Sequence, residues 1–178
     1  RDANARIPSR FSDVAFSRAM TLIPDPAFGL QAATCWHPSN LGVVGYAWLS
    51  SENLRTGLKR LERFSRVLGP RVNFRCKAER DTVRFIYGMG HRNTPLEEVR
   101  ADFSLAIIMD MCRVNAGTYL KPIEVNLMRA TPANQQPYRD FFGCNIHFGS
   151  TENSFVLDAA SADAPLPSAN QDLSATFD

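Results

Sequence analysis

The feature that most constrains this chain is a change of hydrophobic period at Pro70, from helical before it to alternating after it. Just upstream, Leu54, Leu58, Leu61, Phe64 and Leu68 recur at spacings of four, three, three and four, which makes one apolar stripe. Arg55, Lys59, Glu62, Arg63 and Arg66 fall on the other side. Ser50 and Ser51 are placed to cap the first turn, and Glu52 suits the positive end of the helix dipole. Gly69 is the expected left-handed stop, and Pro70 forbids continuation. Gly42 and Gly45 bare one side of the preceding apolar segment, where another backbone is expected to approach closely. The 52–68 segment is therefore a core helix.

The remainder of the first 69 residues reads as helical too. After a polar lead, Arg1 to Ile7, the residues Phe11, Val14, Ala15, Arg18, Ala19 and Leu22 predict an amphipathic helix over 10–22, ended by Pro24-Asp25-Pro26. A short helix is expected over 27–35. Beyond Pro70, Val72, Phe74 and Cys76, then Val83, Phe85 and Tyr87, alternate with polar or outward residues and predict an antiparallel hairpin with one wet face. Thr94-Pro95-Leu96-Glu97 carries hydroxyl, proline and glutamate at the N-cap, N1 and N3 positions. It opens a helix to about Ala116, stopped by Gly117, whose 103–112 run is apolar nearly all round. A strand after Pro122, a helix within 133–142, and strands at 144–148 and 154–157 follow. The order is four helical segments, then ββαβαββ. That predicts an α+β fold, its N-terminal helical segment packed on a largely antiparallel sheet. Residues 1–69 form the helical part and 70–158 the α+β part of one domain. Residues 159–178, rich in Ala, Ser and Asp with Pro165 and Pro167, read as a surface-laid linker, with a helix starting at Gln171.

At 178 residues the chain suits one domain with a real core. No apolar run approaches the roughly 20 residues that span a bilayer, so no membrane partner is expected. The first residue is Arg1, so the sequence is treated as a piece of something longer. The cysteines Cys35, Cys76, Cys112 and Cys144 are widely spaced and read as reduced core residues of a cytoplasmic protein. Charge is uneven: residues 1–148 hold all twenty basic side chains and a net +7, and residues 149–178 a net −5. Attraction to nucleic acid and an ordinary solvated surface are both readings of this; the scatter of the basic residues favours the second.

Motifs for chemistry are largely missing. His37, His91 and His147 have no partners at metal spacing, and no nucleophile elbow or phosphate loop occurs. Gly88-Met89-Gly90 is a turn rather than a dinucleotide fingerprint. No cofactor or metal is expected, nor any catalytic residue. Asp110, within the apolar run, either faces a cavity, pairs with an arginine, or sits at the surface edge. Trp36, His37, Tyr46, Trp48, Tyr87 and His91 are polar-tipped groups near glycine-bearing or loop positions, the kind a small-molecule pocket uses; the alternative is that the aromatics fill the core. Leu105, Ile108, Met109 and Cys112 exceed what one stripe needs. They either cover a second copy of the chain or pack within one copy.

Several runs carry a resemblance. Asp25-Pro26-Ala27-Phe28-Gly29-Leu30 and the stretch from Gly42 to Leu54 (GVVGYAWLSSENL) are similar to the N-terminal regulatory domain of AraC-type transcription regulators. So are Pro137 to Cys144, Ile146-His147-Phe148-Gly149, Asn153 to Leu157 and Asp163 to Pro167, all in the right order. The subfamily resembled is the one without the sugar-binding cupin barrel. The resemblance implies a bacterial cytoplasmic domain, not an enzyme, that senses a small effector, forms a homodimer, or does both. It implies DNA binding only through a C-terminal pair of helix-turn-helix motifs, which this chain lacks. Helical sequence usual before Arg6-Ile7-Pro8 is missing too. A purely structural dimerisation module is the competing expectation.

Overall fold

A computed structural model of the chain describes residues 9–69, 72–88 and 94–177. Its first part is helical: α1 (Ser9–Leu22), α2 (Phe28–Ala33), a 3-10 turn at Pro38–Leu41, α3 (Val43–Leu49) and α4 (Leu54–Leu68). Leu54, Leu58 and Leu61 have no exposed surface, and Phe64 and Leu68 pack half-buried beside them, so the stripe does face the core. The ends of α4 differ from expectation. Asn53, not Ser50 or Ser51, is the cap: its side-chain oxygen accepts from the Thr56 N–H at 2.8 Å. Both serines instead close α3, donating to the Ala47 carbonyl at 3.3 and 2.8 Å. Gly69 sits at φ 173°, extended backbone rather than left-handed. Gly42 is needed for its own φ of +54° at the start of α3, and an added Cβ there would touch nothing within 4 Å. Close approach is seen at two other glycines. A Cβ on Gly29 would meet the Val99 carbonyl at 2.5 Å, and one on Gly57 the Trp48 ring at 2.8 Å.

The alternating half builds one sheet from β1 (Asn73–Ala78), β2 (Thr82–Gly88), β3 (Glu124–Leu127), β4 (Asn145–Phe148) and β5 (Asn153–Asp158), in the order β1-β2-β5-β3-β4. Pairs β1–β2, β2–β5 and β3–β5 are antiparallel; β3–β4 is parallel. A parallel pair needs a crossover, here α6 (Gln136–Phe142). The ββαβαββ order and the α+β class are as the sequence predicts. Val83, Phe85, Val125, Leu127, Phe155 and Leu157 join the core from one face. On the other, Arg84 reaches Glu124 and Glu152 at 3.3 Å each, the wet face that alternation implies. Ile123, one residue before β3, is half exposed at 51%.

The helix α5 (Pro95–Ala116) has the bounds its capping signals predict, and the Thr94 hydroxyl accepts from the Glu97 N–H. It packs against α2 and reaches β2, β5, α4 and α6, so an all-round apolar sequence has neighbours on most sides. Leu105, Ile108, Met109 and Cys112 are buried within one copy, at 0 to 3% exposure. They leave no area for a partner. In the tail, a featureless linker gives way to α7 (Ala159–Asp163), capped by the Asp158 carboxylate on the Ser161 N–H. Leu166 is 5% exposed, and α8 (Gln171–Ala175) forms where a helix was expected.

Candidate functional site

The six aromatic and histidine positions do not share one environment. Trp48 is 1% exposed and Tyr87 8%; both belong to the core, with Phe74 5.9 Å from the Tyr87 ring. Trp36 packs half-buried against that core, whereas His37 and Tyr46 (58%) are exposed. His91 lies outside the described residues. The local reason is helical phase. In a helix as short as α3, Tyr46 and Trp48 point about 200° apart, so one reaches water when the other is buried.

A polar cluster that sequence reading did not single out lies in the core. Arg129 follows β3, Asp102 is on the face of α5 toward α2, and Tyr138 is on the inner side of α6. Arg129 Nη1 donates to the Pro26 carbonyl at 2.9 Å, and also to Asp102 Oδ2 and the Tyr138 hydroxyl. The Tyr138 hydroxyl lies 2.7 Å from the same Asp102 oxygen and 3.0 Å from Pro26 O. The guanidinium also sits 5.4 Å from the Tyr138 ring centre. Burial raises the Asp102 carboxyl to about 6, opposed by the Arg129 charge and the Tyr138 hydrogen bond. Burial, then the Asp102 charge, pushes the Tyr138 phenol up. Asp102 Oδ1 and Arg129 Nε are buried without a hydrogen-bond partner. The arrangement ties the start of α2 to α5, α6 and the end of β3.

Other chemistry-bearing groups are placed as follows. Asp110 pairs with Arg113 at 3.1 Å, one turn along α5, and Arg113 continues to the Phe141 carbonyl at 2.7 Å. Burial raises the Asp110 carboxyl against that pairing. Among the described residues the cysteines are free thiols, and burial lifts Cys76 and Cys144 to about 11, far from thiolate reactivity at neutral pH. No group of three metal-ligating side chains occurs among the described residues. An open depression of about 680 Å³ is lined by Lys121, Ile123, Arg139, Cys144 and Asn145, among others. It shares no residue with the aromatic and histidine positions chosen from sequence.

The corner between α3 and α4 holds the other missed residue, Arg60. It is 4% exposed and donates from Nη1 to the Ala47 carbonyl and Ser51 Oγ, both at 3.2 Å. Its Nη2 reaches Ser174 O at 3.1 Å and Ser174 Oγ at 2.8 Å. A basic residue in a helix register marked by basic neighbours gives no local signal of this; its partner is 114 residues away.

Comparison with known proteins covers almost the whole chain. A family model described as the arabinose-binding domain of AraC transcription regulator, N-term, matches residues 1–166. The HTH-type transcriptional regulator VirS of Mycobacterium tuberculosis is 27% identical over 150 residues, in strain H37Rv and in CDC 1551 / Oshkosh alike. That alignment covers 82% of this chain and 43% of VirS. The crystal structure of the transcriptional regulator CdpR from Pseudomonas aeruginosa has the same fold, with a TM-score of 0.73 at 13% identity, over 98% of this chain and 62% of that one. The chain thus spans less than half the length of VirS and under two thirds of the CdpR chain.

Proposed function

Because residues 1–166 match its model, this chain belongs to the family of N-terminal regulatory domains of AraC-type transcription regulators, and we propose that it senses a small-molecule effector. The family match is the observation that carries this reading. In it, the domain acts on a helix-turn-helix half beyond residue 178 and works as a cytoplasmic homodimer, since two-fold regulators read paired half-sites. VirS is an HTH-type transcriptional regulator of which the match covers 43%, and this supports a DNA-binding half outside the matched region. Residues 1–69 and 70–158 act as one sensing unit, and 159–178 leads toward the other half. The effector lies between the helical segment 27–49 and the sheet. Trp36, His37, Tyr46, Trp48, Tyr87 and His91 are the proposed contacts, Tyr46 and His37 being the exposed ones among the described residues. That these two reach the surface supports the reading.

A thermal-shift screen of amino acids, fatty acids and aromatic acids tests it. A true effector at 100 times its Kd stabilises the chain by about 2.7 kcal/mol. Tyr46→Ala, which removes an exposed side chain, is expected to abolish the shift while leaving the unliganded Tm unchanged. A shift that survives Tyr46→Ala would move the site away from α3. A dimeric chain that no compound shifts would instead fit a structural dimerisation module.

A further inference from the structure

Residues 164–177 fold back over the α3–α4 corner as a strap. The Leu166 N–H donates to the Glu52 carbonyl at 2.9 Å and the Asn170 N–H to the Ser50 carbonyl at 3.3 Å. Both acceptors belong to the short turn between α3 and α4. Beyond them α8 has only five residues, and Asp172, Leu173, Ala175 and Thr176 are exposed. So short a helix is not stable alone. Among the described residues, the strap's attachments include the buried Leu166, these two backbone hydrogen bonds and the Arg60 guanidinium on Ser174, with Arg63 reaching the Phe177 carbonyl at 3.4 Å.

Arg60 is the one of these groups that touches both sides. One nitrogen holds the last turn of α3 and the Ser51 hydroxyl, and the other holds α8. A guanidinium is planar and rigid, so its two nitrogens cannot be re-aimed independently. Rotation of α3 that moves the Ala47 carbonyl or Ser51 must tilt the fork away from Ser174. We propose that Arg60 couples the α3–α4 corner to this strap, so that the strap's attachment reports the state of α3. Arg60 is a positioning residue in this device. The proposal rests on the regulatory reading above, in which the segment after α7 carries the signal onward.

Hydrogen exchange on the full 178-residue chain, without ligand, tests it. Arg60→Met keeps an apolar stem and removes the guanidinium. It is expected to speed exchange of amides 166–176 by about tenfold or more, leaving amides 105–112 of α5 at wild-type rates. Ser51→Ala, which removes a corner-side partner, is expected to speed the strap several-fold as well. Strap exchange at the wild-type rate in either variant overturns the proposal. So does an equal rise in strap and α5, which would mean only that the buried arginine stabilises the whole fold. Where Arg60→Met does not fold, Ser174→Ala serves: faster exchange confined to 166–176 supports the coupling, and wild-type exchange overturns it. A strap insensitive to these changes would leave effector binding unaffected, and an effector screen without a hit would leave the strap result standing.

Discussion

Gly29 and Asp102 show at the residue scale how closely α2 is held. A methyl group at Gly29 would sit 2.8 Å from the Asp102 Cβ as well as against the Val99 carbonyl. One turn away, Pro26 receives the Tyr138 and Arg129 hydrogen bonds. Asp102 makes a pH prediction possible. Its carboxyl lies near 6 in the folded chain against 3.8 ordinarily, burial being the cause, with Arg129 and Tyr138 opposing it and Glu98 adding to it. The folded state then binds more protons than the unfolded one between pH 4 and 6. The stability this group contributes is full below about 3.8 and is lost as pH rises through about 6, roughly 3 kcal/mol across the window. Carbon NMR of the Asp102 carboxyl should titrate with a midpoint near 6. In urea unfolding, wild type should lose ground to Asp102→Asn as pH rises from 4 to 7. A midpoint below 4 would show that the Arg129 charge outweighs burial.

Among elements, α4 and α5 illustrate two kinds of burial. The helix α4 buries one stripe against β1 and keeps Lys59, Arg63 and Arg66 in water. Leu58→Ala or Leu61→Ala should cost about 2–5 kcal/mol in denaturant unfolding, the range for a fully buried leucine. The helix α5 is covered on most sides, which changes what its apolar surplus means. Ile108→Glu would place a carboxylate at a position 3% exposed, without a designed partner. The expected outcome is loss of the cooperative unfolding transition, seen by circular dichroism. A folded Ile108→Glu chain that sediments as a monomer, beside a dimeric wild type, would restore α5 as a partner surface.

At the scale of the whole molecule, the uneven charge is partly spent within the fold. Arg55 holds Asp163 side-on, donating from Nε to Oδ1 at 2.5 Å and from Nη2 to Oδ2 at 2.8 Å, and this pairing lowers the Asp163 carboxyl. Arg84 on β2 meets Glu152 in the acidic half. The two longest helices among the described residues commit their apolar faces to the core, so neither is a free recognition helix. This chain should therefore show no sequence-selective binding to promoter DNA near physiological salt, where non-specific phosphate contacts weaken. A band shift that persists there and discriminates between promoter and scrambled duplex would contradict this.

What the sequence determined by itself is what neighbours in the chain decide. The Thr94 cap, the stops at Pro24 and Gly117, and the alternation of Val83, Phe85 and Tyr87 are interactions within a few residues, and they placed α1, α5 and the β1–β2 hairpin to within a residue or two. The family resemblance was legible for the same reason, through short runs with fixed spacing. Tertiary structure alone decided which polar groups are buried. Asp102, Arg129 and Tyr138 meet across 27 and 36 positions, and Arg60 meets Ser174 across 114. No local pattern encodes such partners, because a buried charge is tolerable only where distant segments supply its hydrogen bonds. The same holds for Tyr46 and Trp48: two residues apart in sequence, they are separated by which side of α3 faces Gly57. The strap after α7 followed from the α3–α4 corner, whose carbonyls at Ser50 and Glu52 are presented only once that corner is folded.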